Sequence, residues 1–68
     1  MKYDFQKILA FLTATGLTFK EVGEATQVPS QAISRIAKGQ MPRHDQGEAI
    51  LAFYRQRKEE ITVLMSQN

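Results

Sequence analysis

Apolar side chains at Phe5, Ile8, Leu9 and Leu12 recur at the three- and four-residue spacing that stacks them on one face of a helix. Asp4 stands where an N-cap belongs and Gly16 where a helix ends in a left-handed residue, so a first helix is predicted over 5–15, with Leu17 sealing its end. Phe11 lies off this stripe and is left to pack against another helix or stay partly exposed. Thr18–Glu21, TFKE, has the form of a capping box and opens a second helix that ends at about Ala25 or Thr26. Val22 and Gly23 occupy its inner side. Gly23 costs about 1 kcal/mol of helix propensity relative to alanine, which close approach of the next helix would explain. A tight turn through Thr26, Gln27 and Val28 leads to a third helix that starts at Pro29 or Ser30, where a missing N–H is no loss. This helix buries Ile33 and Ile36 and runs to Lys38, with Gly39 as its stop.

The connection Gln40–His44, QMPRH, carries a proline in its middle. Asp45–Glu48, DQGE, reads as a second capping box, which starts a fourth helix near Gln46 with Ile50, Leu51, Phe53 and Tyr54 on its apolar side. The run RQRKEE then interrupts the stripe before Ile61, Val63, Leu64 and Met65 restore it. Neither glycine nor proline follows Glu48, so one long helix fits, as does a bend followed by a short fifth helix; the polar run favours the bend. The last three residues are expected to fray. The sum is an all-α chain, a single compact domain over 1–68 of four to five helices, with the helix pair of 19–38 at its centre and a C-terminal helical segment over 45–66.

A chain of 68 residues buries only about 60% of the surface it exposes when unfolded, so its core is thin. It has no cysteine, which excludes disulfides and cysteine-based zinc sites, and its one histidine cannot build a metal site. No apolar run approaches the roughly 18 residues of a membrane span. The stretch MKYDFQKILAFL places an acid ahead of its short apolar run and is followed by no small-residue cleavage site, so the expected compartment is the cytoplasm. No catalytic constellation is present: Ser30 and Ser34 have only His44, in a separate loop, as a base, and Glu59 and Glu60 diverge around a helix. Net charge is only +2, but its distribution is uneven. Ala25 to His44 holds no acidic residue, while Arg35, Lys38 and Arg43 fall within it. A polyanion would meet a locally positive surface. With Ile33 and Ile36 turned inward, Ser30, Gln31, Ser34 and Arg35 point elsewhere, and such hydroxyl, amide and guanidinium groups suit base edges in a DNA major groove.

The segment QVPSQAISRIAKG resembles the Cro and repressor (lambda-repressor-like) helix-turn-helix family of phages and bacteria. The matching features are Val22, Val28, the pair Ile33–Ser34, Ile36 and the closing Gly39. The resemblance covers Leu17 to Arg43 and reaches the flanking helices only as a plausible plan. Phe19 stands where the family often has a phosphate-bonding glutamine, which makes it a core candidate instead. Gly23 replaces the usual alanine, Gln27 a common turn glycine, so that Gln27 must adopt a positive φ, and Pro29 a usual capping serine.

The resemblance implies that the third helix enters the major groove, with Gln31 pairing to adenine N6 and N7 and Arg35 to guanine O6 and N7. Ser30 and Ser34 would reach bases or phosphates. Lys38, Gln40, Arg43 and His44 would line the backbone, with Thr18 and Lys20 as further phosphate contacts. It further implies a homodimeric transcriptional regulator on a pseudo-palindromic double-stranded operator. The size and the basic, cysteine-free composition suit a phage or prophage repressor, and with little room for a pocket no cofactor, metal or small-molecule ligand is expected. Its dimer surface would lie in Ile50–Met65, with Ile61, Leu64 and Met65 forming the seam. The alternative is a small helical protein-interaction module, antirepressor- or antitoxin-like, that keeps the fold without reading DNA. Plainer roles also stand: Gln31 and Arg35 as a solvated face, Lys38 and Arg43 as ordinary surface charges, Ser34 bonding back to the Ser30 carbonyl, and Ile61, Leu64 and Met65 closing the monomer's own core.

Overall fold

A computed structural model describes residues 4–66. It contains four α-helices, α1 (Phe5–Ala14), α2 (Phe19–Thr26), α3 (Ser30–Ala37) and α4 (His44–Ser66), and no strand among the described residues. The first two helices begin where their capping residues stand. The Lys7 N–H donates to Asp4 Oδ1 at 3.2 Å, and both arms of the box on α2 are made: the Glu21 N–H to Thr18 Oγ1 at 3.1 Å and the Thr18 N–H to Glu21 Oε1 at 3.0 Å. Gly16 follows α1 at φ +101°, as its position predicts.

One apolar cluster joins all four helices: Ile8, Leu9 and Leu12 from α1, Val22 from α2, Val28 from the turn, Ile33 and Ile36 from α3, and Ile50 from α4. Phe11, off the main stripe, meets Tyr54 edge to face at 5.3 Å between ring centroids, which ties α1 to α4. Thr26 is the buried polar residue of this core, and its hydroxyl donates to the Val22 carbonyl at 2.7 Å. Among the described residues no buried side-chain nitrogen or oxygen lacks a partner. Phe19 is not the core residue expected: at the first position of α2 it is 37% exposed.

The C-terminal half differs from expectation in two ways. The fourth helix starts at His44 rather than near Gln46, and DQGE is not its capping box. Gln46 is instead the returning side chain, its Oε1 accepting the Arg43 N–H at 3.3 Å. There is also no bend and no fifth helix, because α4 runs unbroken through RQRKEE for 23 residues. Arginine, glutamine, lysine and glutamate are all good helix formers, so the polar run interrupts hydrophobicity without interrupting the helix. Arg57 falls on the inward stripe of Gly47, Ile50, Tyr54 and Ile61. There its Nε donates to Thr15 Oγ1 at 3.3 Å and its Nη2 to the Thr15 carbonyl at 3.2 Å. At 1.5 Å per residue α4 is roughly 34 Å long, against a longest molecular extent of 38 Å, so it spans the molecule. Of the terminal residues expected to fray, Ser66 closes α4, while Gln67 and Asn68 lie outside the described residues. Among the described residues no helix is long and apolar enough to cross a membrane.

Candidate nucleic-acid interface

The turn between α2 and α3 determines which way α3 faces. Gln27 takes φ +59° and ψ +30°, the left-handed conformation its position required, and its N–H donates to the Gly23 carbonyl. The Val28 N–H donates to that same carbonyl at 3.0 Å, and Val28 itself is buried. Gly23 explains how closely the turn folds back: a Cβ built there would lie 2.6 Å from the Val28 carbonyl oxygen. The close approach therefore comes from the turn backbone, with the start of α3 next at 3.4 Å to the Ser30 nitrogen. Pro29 is the N-cap of α3 and makes no side-chain cap bond.

Ile33 and Ile36 are buried against α1 and α2, which fixes the rotation of α3 about its axis. Gln31, Ser34, Arg35 and Lys38 then form one stripe at spacing i, i+3, i+4, i+7 on the opposite side. Gln31, Arg35 and Lys38 are exposed and Ser34 half-buried, while Ser30 is exposed at the first position. Among the described residues no carboxylate lies within ion-pair distance of Arg35, Lys38 or Lys20. Arg35 and Lys38 on this face therefore have no ion-pair partner among the described residues.

The remaining candidates divide by position. Lys20 and Ser30 line one concavity at the α2–α3 junction, which Glu24 also enters, so the field there is mixed. Thr18 is exposed, with its Oγ1 engaged as the cap of α2. Arg35, Gln40 and Arg43 share a second concavity along the flank of α3 with Pro29, Ala32 and Met41. Arg43 and His44 are more compromised than the spacing implied. Arg43 Nη2 lies 3.5 Å from Asp45 Oδ2, and His44, which belongs to α4 rather than to a loop, has Nε2 3.2 Å from Glu48 Oε1. Both pairs are exposed, and an exposed ion pair such as Arg43–Asp45 is weak in water and screened by salt, but they place an acid next to each of these two side chains. The Arg-x-Asp and His-x-x-x-Glu spacings were visible in the sequence.

Ile61, Leu64 and Met65 stand apart from this surface, on the distal part of α4. Ile61 is half-buried, whereas Leu64 is 63% and Met65 72% exposed, so these two do not close the monomer's core. Met41, 67% exposed beside Arg35, was missed by sequence reasoning: one apolar residue between a helix-stopping glycine and a proline belongs to no periodic stripe. No group of acidic, histidine or cysteine side chains among the described residues could hold a metal ion. Set against protein-family models, curated proteins and solved structures, the chain matches none.

Proposed function

We propose that this chain is a sequence-specific double-stranded DNA-binding transcriptional regulator, a Cro-like repressor of phage or prophage type that acts in the cytoplasm of a bacterial host. The carrying observation is the polar stripe Gln31–Ser34–Arg35 on α3 with Lys38 at its C-cap, exposed except for the half-buried Ser34, holding no carboxylate of its own and opposed to the buried Ile33 and Ile36. In this reading α3 lies in the major groove, Gln31 and Arg35 make bidentate bonds to adenine and guanine, and Ser30 and Ser34 fill in around them. Lys38, Gln40, Lys20 and Thr18 hold the phosphate backbone, with Arg43 and His44 as weaker contributors because Asp45 and Glu48 sit beside them. The chain binds and does not catalyse.

One such surface makes few base contacts, so the reading includes a homodimer on a pseudo-palindromic operator. The inward stripe of α4 continues past Arg57 and Ile61 into exposed Leu64 and Met65, which supply the apolar seam. Those same exposed residues favour the second reading, a helical protein-interaction module that does not read DNA. Selection of bound sites from random duplexes separates the two. A regulator enriches a two-fold symmetric consensus whose affinity falls steeply with salt as counterions are released. An interaction module enriches nothing.

A further inference from the structure

Resting on that reading, we propose that Met41 is a base-reading residue whose side chain covers the C5-methyl group of a thymine beside the base pair taken by Arg35. The backbone that carries Met41 is held on both sides. The chain leaves α3 through a paired cap, the Gly39 N–H donating to the Ile36 carbonyl and the Gln40 N–H to the Arg35 carbonyl, each at 3.0 Å, with Gly39 at φ +117°. Gln6 Nε2 reaches the Ala37 carbonyl at 3.3 Å and ties the same corner to α1. On the far side the Arg43 N–H is anchored to Gln46 Oε1, and Pro42 is half-buried against the start of α4, where a Cβ on Gly47 would lie 3.6 Å from its ring.

Such a helix end ordinarily seals itself with an apolar side chain folded back on the last turn. Here the sealing position is the polar Gln40, and the methionine that follows it stays 67% exposed. Met41 lines two hollows, one with Asp4, Phe5 and Gln6 and one, along the flank of α3, with Arg35, Arg43 and Gln40. The Arg35 guanidinium, a second at Arg43 that Asp45 draws on, and an amide stand around an apolar centre, which suits a polyanion that carries an apolar group at close range. On the major-groove edge of DNA that group is the thymine methyl. An unbranched, polarisable thioether chain adapts to such a contact without demanding one geometry. Arg35 on a guanine sets the register, and the shared concavity places Met41 over a neighbouring pair.

The test uses the duplex enriched by selection, remade with uracil replacing each thymine in turn, and titrated by fluorescence anisotropy with the wild-type chain, Met41→Ala and Met41→Leu. At one thymine in each half-site, loss of the methyl weakens the wild type and Met41→Leu about four-fold, the worth of one buried methyl group. Met41→Ala binds the thymine and uracil forms of that site equally. The inference is overturned if Met41→Ala keeps the wild-type uracil profile, if no position responds, or if Met41→Ala alters self-association while that profile stays unchanged. Enrichment of a consensus with a flat Met41 comparison overturns this assignment alone, whereas enrichment of nothing overturns the DNA reading and takes this assignment with it.

Discussion

Replacing Gly23 by alanine sets helix propensity against sterics at the tightest point of the α2–α3 turn. Alanine improves the interior of α2 by about 1 kcal/mol. Its Cβ would stand 2.6 Å from the Val28 carbonyl oxygen, where ordinary contact begins at 3.4 Å, so roughly 0.8 Å (the difference of those distances) must be recovered. The obstructing atom is backbone and cannot rotate aside. Moving it disturbs the Val28 N–H bond to the Gly23 carbonyl and lifts the buried Val28 side chain out of the core. Overpacking of this kind costs about 1–3 kcal/mol, so the net expectation is a loss of about 1 kcal/mol, or a Tm lower by about 4–8 °C in a domain this small. Thermal and urea unfolding followed by far-ultraviolet circular dichroism measure it. Ala25→Gly, at an exposed position of α2, calibrates the propensity contribution separately. A Gly23→Ala chain that unfolds at or above the wild-type temperature would refute the argument and show that the turn gives way freely.

Gln27→Gly should raise stability by up to about 1 kcal/mol in the same assays, because the left-handed conformation costs a side-chain-bearing residue about 1–2 kcal/mol and added freedom in the unfolded chain returns only part of that. Arg35→Ala should relax preference at one base pair by about 1–3 kcal/mol in binding titrations across variant duplexes, while Lys38→Ala weakens every duplex alike and flattens the salt dependence. Leu64→Glu combined with Met65→Glu should abolish self-association in sedimentation equilibrium and leave the circular dichroism of the monomer unchanged, since both side chains are exposed in it.

Much of α1, α2 and α3 was legible because their boundaries are set by local chemistry. Asp4, Thr18 with Glu21, Gly16 and Gly39 each act within a few residues of themselves, and so does the strained Gln27. The fourth helix was misread because a break in its apolar stripe was taken for a break in the helix, and what fills the stripe there lies far away in sequence. A cation at position 57 looks like a break in an apolar stripe until the Thr15 carbonyl, 42 positions earlier, is seen to receive it. Its start was misjudged for a related reason: Gln46 caps as well as Glu48 could, and the choice rests on where Pro42 and Arg43 leave the chain. In the candidate site, Gln31, Ser34 and Arg35 could be placed from helical periodicity once Ile33 and Ile36 were turned inward. Met41 could not, since its surroundings come from the way the chain doubles back along α3.

The Arg57 guanidinium does more than fasten one helix to another. The final turn of α1 contains no basic residue of its own, and the carbonyl at its negative pole is met by a cation brought from the middle of α4. The first helix ends locally, at Thr15 and Gly16, but its negative pole gains a charged partner only when the fourth has formed as far as that arginine. A chain cut before residue 57 would leave the Thr15 carbonyl without its guanidinium as well as shortening α4, so the first and last helices, which also meet through Phe11 and Tyr54, are expected to assemble as one cooperative unit.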